Sequence, residues 1–143
     1  MLFRSKRGCG ILFFRQETKA VLLFRRDDKP TIPFPNHRDI LGGSVEEGET
    51  PEQAIVREMA EELADARTGA PYSLENFRLF KVYTHERGTQ HHIFYKETDC
   101  DLADIRLKEG QELVWFAEGE LRTTSLAFDC DAVVQEFFAH FPT

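Results

Sequence analysis

The chain has 143 residues, 41% of them apolar and 30% charged, with a formal net charge of −7. That is ordinary for one globular domain with a single core. The acidic balance argues against a partner that is a nucleic-acid polymer, which calls for a basic patch, but not against small phosphorylated molecules, whose charge a cation can screen.

Cys9, Cys100 and Cys130 are odd in number, far apart and without metal-site spacing. They read as buried thiols in a reducing, cytoplasmic setting. The N-terminal MLFRSKRGCGILFF holds basic residues, but its apolar run is too short for a span and lacks a cleavage pattern, so neither a signal peptide nor a membrane partner is expected. Residues 1–143 read as one domain without linker or repeat, a monomer or homodimer.

Apolar runs at 9–14 and 19–25 flank the turn-like Gln16-Glu17-Thr18 and predict a β-hairpin. Arg25 and Arg26 close the second run, either as solvent-facing charge or as forked phosphate contacts. Pro30, Pro33 and Pro35 make 27–36 an irregular loop. Residues 39–41 form a short strand that feeds Gly42 and Gly43, where a sharp turn and a closely approaching backbone carbonyl are expected.

A helix follows. Thr50 is a good N-cap, Pro51 suits the first turn, and Gln53 completes a capping box. At about 100° per residue, Ile55, Val56, Met59, Ala60 and Leu63 form the expected core stripe. Ala54, Arg57, Glu58, Glu61 and Glu62 form the other face. Glu58 has like charges three and four residues on, each pair repelling by a few tenths of a kcal/mol. No lysine lies between Gly42 and Leu63 to relieve them. Either this is an acidic solvated face, or a cation completes it; hard carboxylate oxygens then point to Mg²⁺ or Mn²⁺.

Beyond the helix, 68–73 is a loop, and 77–85 and 89–96 are strands joined at Glu86-Arg87-Gly88. His85, His91 and His92 gather around that hairpin without a zinc-ligand pattern and read as surface or substrate-pocket residues. Residues 99–110 read as a loop, 113–116 as a strand, 118–121 as a turn into a short helix. A C-terminal helix over 127–138 would pack Val133, Val134, Phe137 and Phe138 inward, with Asp129 as its cap. Strands around a central helix, and a second helix at the end, imply an α/β fold with a mixed sheet covered on both faces.

The stretch Gly43, five residues, Glu49, seven residues, Arg57-Glu58-Met59-Ala60-Glu61-Glu62 resembles the Nudix hydrolase signature at every position, six identities and one apolar residue. Two later positions depart: Ala64 stands for a glycine and Asp65 for an apolar residue. Alanine disfavours a left-handed cap, which leaves the helix free to run on towards Gly69.

The resemblance implies an α/β/α sandwich with the signature as a loop-helix-loop. It implies metal-dependent hydrolysis of a nucleoside diphosphate linked to another moiety. Glu58, Glu61, Glu62 and the Gly43 carbonyl would be metal ligands, Arg57 would orient a glutamate, and Glu49 would be its partner or a ligand through water. The general base is sought at Glu109 or Glu112, with Glu112 preferred. The proline of ADP-ribose-specific members has no counterpart, since Pro71 comes too soon. Tyr83 lies at about the separation seen in dinucleoside-polyphosphate hydrolases. The ending Leu126-Ala127-Phe128-Asp129 looks more like members acting on nucleoside triphosphates, including oxidised ones, with Asp129 reading the base edge. Arg25, Tyr83 and Asp129 are thus the expected substrate contacts, and a (d)NTP the expected substrate. The alternatives are a dinucleoside-polyphosphate or nucleotide-sugar hydrolase, and a non-catalytic nucleotide-binding regulator.

Overall fold

The computed structural model describes residues 7–84 and 88–142. Strand β1 (Arg7–Arg15) is buried from Gly8 to Phe14, so it has no solvent face. A strand of that kind must lie between two covering layers. Cys9, Ile11 and Phe13 pack with Ala54, Ile55 and Met59 of helix α1 (Pro51–Glu62). Leu12 and Phe14 pack on the other face with Val133, Val134, Phe137 and Phe138 of helix α2 (Asp131–Ala139). The α/β/α sandwich is therefore the fold.

The mixed sheet holds β2 (Ala20–Arg25), β3 (Arg38–Asp39), β4 (Leu41–Ser44), β6 (Arg78–Thr84), β7 (Gln90–Glu97) and β9 (Glu112–Ala117) around β1. Among the described strands only β1 and β7 pair in parallel. The expected hairpin pairs only near its turn, at Phe14↔Val21 and Arg15↔Ala20. Beyond that point the strands part and the segment 38–44 wedges between them, β3 against β2 and β4 against β1. Gly42 and Gly43 therefore lie in a strand, opposite Gly10 and Cys9, and not in a sharp turn. The close approach is strand to strand: a Cβ at Gly42 would stand 2.0 Å from the Cys9 carbonyl oxygen.

The capping box at Thr50 and Gln53 is present in both directions, at 3.1 and 2.9 Å. The buried stripe of α1 is rotated from the expected one. Ala54 is fully buried, whereas Val56 is 38% exposed. The inward face is centred between Ala54 and Ile55, and at 3.6 residues per turn that brings Glu58 and Glu62 towards the sheet. The helix does not run on towards Gly69. Leu63 is extended, and β5 (Leu63–Asp65) pairs with β8 (Ile105–Leu107) inside the expected loop 99–110. Ala64 is thus a buried strand residue and needs no left-handed cap.

Helix α2 starts later than expected. Phe128 and Asp129 are left-handed, at φ 53° and 57°, so Asp129 is not the cap; Cys130 holds that place. His91 and His92 are successive strand residues and point to opposite faces. His85, with Glu86 and Arg87, lies outside the described residues. No helix among the described residues is long and apolar enough to cross a membrane.

Candidate active site

Arg57 is the hub of the loop-helix junction. Its Nε and Nη2 donate to the two carboxylate oxygens of Glu49 at 2.8 and 3.0 Å. Nη1 donates to Glu58 at 3.0 Å and to Glu61 at 3.2 Å, and Nη2 also reaches the Ser44 carbonyl at 2.8 Å. A planar fork can serve five acceptors in this way, which a lysine cannot. The hydrogen bonds from Arg57 lower the Glu49 carboxyl to about 2. Those same carboxylates hold the guanidinium firmly in its charged form.

Glu58 and Glu62 sit deeper. A Cβ on Gly43 would lie 2.3 Å from Glu58 Cδ, so the absence of a side chain is what seats this carboxyl against β4. Burial raises the Glu58 carboxyl above its ordinary value, against the pull of Arg57. Burial, then repulsion from Glu58, Glu109 and Asp39, raises Glu62 to about 8. Glu62 Oε2 is buried without a hydrogen-bond partner. An orphaned buried carboxylate oxygen is costly, and a hard cation would satisfy it. Glu58 and Glu61 lean on Arg57, and among the described residues no three His, Cys, Asp or Glu side chains converge in metal-ligand geometry. The donor chemistry fits a divalent cation nonetheless: carboxylate oxygens, one of them orphaned, with Glu58 seated directly against the backbone of Gly43.

Of these groups Glu62 and Gly43 open on a cavity of about 1000 Å³, which Glu49, Arg57, Glu58 and Glu61 do not line. Gly42, Gly43, Glu62 and Glu109 line one part; Tyr83, His91, Phe34 and Phe128 line another. Asp39 lies between them electrostatically, since it repels Glu62 and also bears on Tyr83. Asp39 is the one buried charged residue among those described. It accepts from Arg26 Nη1 at 3.1 Å, the Ile40 amide at 2.7 Å and the Cys130 thiol at 3.6 Å. Burial pushes its carboxyl up.

Of the expected substrate contacts, Tyr83 and Asp129 line the cavity and Arg25 does not. Arg25 lies 3.5 Å from Glu112, and this pair sits outside the cavity. Its neighbour Arg26 faces the cavity instead, with its guanidinium 5.1 Å from the Phe128 ring. Likewise Glu109 lines the cavity and Glu112 does not. Strand parity explains the first exchange, since a one-residue step at the end of β2 reverses the side chain; Glu109 belongs to the turn before β9, whereas Glu112 opens that strand and pairs across it with Arg25. Phe34 and Phe128 were missed. Their rings meet at 4.8 Å from two left-handed backbones, one in the proline loop and one before α2, and nothing local in the sequence pairs such segments.

The NUDIX domain family model matches residues 4–137. The chain belongs to that family, the Nudix hydrolases, which act on pyrophosphate bonds. Solved structures agree on the fold. A MutT from Aliivibrio salmonicida or Vibrio cholerae is 21% identical, with a TM-score of 0.74 over 96% of this chain and 100% of that one. A MutT Nudix hydrolase from Burkholderia pseudomallei is 24% identical, with a TM-score of 0.60 over 80% and 84%. The NUDIX domain of Shewanella oneidensis NrtR, solved with ADP ribose, is 17% identical, with a TM-score of 0.69 over 97% and 88%. No curated protein matches the sequence.

Proposed function

We propose that the chain hydrolyses a nucleoside diphosphate-linked substrate, a (d)NTP first among them and oxidised nucleotides included, with Mg²⁺ or Mn²⁺. The observation that carries this is the orphaned, buried Oε2 of Glu62, one turn of helix from Glu58, in the lining of a cavity that also holds Gly43 and several aromatic rings. One part suits a screened diphosphate and the other a nucleoside.

Glu58, Glu61, Glu62 and the Gly43 carbonyl would hold the ion. When bound, it supplies charge neutralisation at the phosphate oxygens and a more acidic water. Arg57 keeps Glu58 and Glu61 on one side of the helix, and Glu49 fixes the plane of Arg57. Glu109, which lines the cavity with Glu62 and repels it, takes the general-base role expected of Glu112: it accepts the proton of the attacking water. Arg26 takes the phosphate-contact role expected of Arg25. Tyr83 and Asp129 flank the nucleoside. These assignments ask mainly for positioning and charge stabilisation, as phosphoryl and nucleotidyl transfer to water requires.

The test is product identity. Incubation with nucleoside triphosphates and a divalent ion should yield nucleoside monophosphate and pyrophosphate on anion-exchange chromatography. A cavity of about 1000 Å³ also admits two-part ligands, at the upper end of the usual range for such sites. Dinucleoside polyphosphates and nucleotide sugars therefore belong in the same panel. Preferential cleavage of either would replace the (d)NTP reading, and binding without turnover would favour a regulator.

A further inference from the structure

His91 plays no part in the hydrolytic roles above, yet the sheet sets it in an ordered row. Tyr83 and Gly8 are its register partners on the two neighbouring strands, and Ser44 is the partner of Gly8. Side chains at one level of a sheet stand about 4.8 Å apart along such a row. The Tyr83 and His91 rings stack at 5.1 Å with 15° between their planes. The next place in the row belongs to Gly8, which has no side chain, and His91 leans over it. A Cβ there would meet His91 Nδ1 at 2.7 Å and Cε1 at 2.9 Å. Tyr83, His91, Gly8 and Ser44 all line the cavity. The row thus runs from an aromatic pair, over the bare backbone of Gly8 on which the His91 ring leans, to Ser44, the residue next to Gly43.

We propose that His91 is a base-stacking, specificity-determining residue of the nucleotide site, and that Gly8 is the positioning residue that lets its ring lie there. The ligand class is the planar heteroaromatic base of a nucleotide, which continues the Tyr83–His91 stack on the ring face turned towards β1 and β4. The proposal rests on the reading that this cavity takes a nucleotide. Stacking needs a flat ring and no particular polar atom, so phenylalanine should serve where alanine does not.

The experiment measures kcat, KM, the Kd of a nucleoside monophosphate and the inhibition constant of inorganic pyrophosphate, in wild type and three variants. His91→Ala should raise KM and the monophosphate Kd about tenfold, the order expected for one lost base stack, with kcat and pyrophosphate inhibition unchanged. His91→Phe should stay within about threefold of wild type on that same scale. Gly8→Ala, its fold verified by a melting curve, should follow His91→Ala. Wild-type monophosphate affinity in His91→Ala overturns the proposal alone. So does His91→Phe as weak as His91→Ala, or a pyrophosphate constant that weakens in step. A wild type that neither binds nor cleaves any nucleotide overturns the nucleotide reading, and this proposal with it.

Discussion

Gly43→Ala isolates the position of one carboxyl from the stability of the fold. Gly43 is not among the left-handed glycines, so alanine meets no backbone strain there. Removing a glycine's freedom in the unfolded chain should even stabilise by about 0.4–1 kcal/mol. The new methyl, however, would stand 2.3 Å from Glu58 Cδ and 2.4 and 2.5 Å from its oxygens. Relief to an ordinary 3.4 Å contact moves the carboxyl by about 1 Å. A misplacement of that size costs on the order of 100-fold in rate, about 2.7 kcal/mol of transition-state stabilisation. The neighbouring Gly42→Ala is the control. Its methyl meets backbone, the Cys9 oxygen at 2.0 Å and Gly10 Cα at 2.7 Å, so β4 itself must shift, at a cost of about 1–3 kcal/mol. Steady-state kinetics and thermal melts of both variants are the assay. Gly43→Ala should melt at or slightly above wild type and lose activity; Gly42→Ala should melt lower. A Gly43→Ala enzyme with wild-type kcat/KM would refute the argument that Glu58 acts from its seat against this glycine.

Arg57→Lys keeps the charge and loses the fork to Glu49, so kcat should fall on the order of 100-fold with an unchanged circular-dichroism spectrum. Glu109→Gln should lower kcat by roughly 10²–10⁴, the usual weight of a general base, while Glu112→Gln, which only loses its place beside Arg25, should match wild type in the same assay. Glu62, held at about 8 against an ordinary 4.5, binds its proton more tightly folded than unfolded. Its contribution to metal-free stability is therefore full below about 4.5 and lost as pH rises through about 8; melts in chelator should fall across that window, and Glu62→Gln should flatten the fall. Glu49 has the opposite sign: lowered to about 2, its contribution is present above its ordinary value and lost as pH drops through about 2, which Glu49→Gln should remove from an acid titration of the fold.

Much of the site was legible because it lies on one continuous segment. Thr50, Pro51 and Gln53 mark the helix start by local hydrogen bonding, and the spacing of Glu49, Arg57, Glu58, Glu61 and Glu62 carries the family resemblance. The two core faces follow from the apolar run of β1 and the spacing of Val133, Val134, Phe137 and Phe138. What was lost depended on long-range packing. The choice of Arg26 over Arg25 turns on strand parity, which pairing with β9 and β3 sets. The rotation of α1 that buries Ala54 and exposes Val56 depends on where β4 wedges beneath it. Three-residue strands such as β5 and β8 are too short for any period to show, so the exit at Ala64 looked like a helix problem. Phe34 and Phe128 meet across 94 positions of chain through two left-handed turns, and only the folded chain brings them together.

The central claim is that the Glu58–Glu62 carboxylates serve a divalent ion in diphosphate hydrolysis. The most direct test is the initial rate of pyrophosphate release from a nucleoside triphosphate, followed in chelator and as Mg²⁺ or Mn²⁺ is restored, for wild type and Glu62→Gln. The account predicts no wild-type release in chelator, full recovery with the ion, and a Glu62→Gln rate lower by orders of magnitude at every ion concentration. Full wild-type release in chelator, or equal rates for the two proteins, would contradict it.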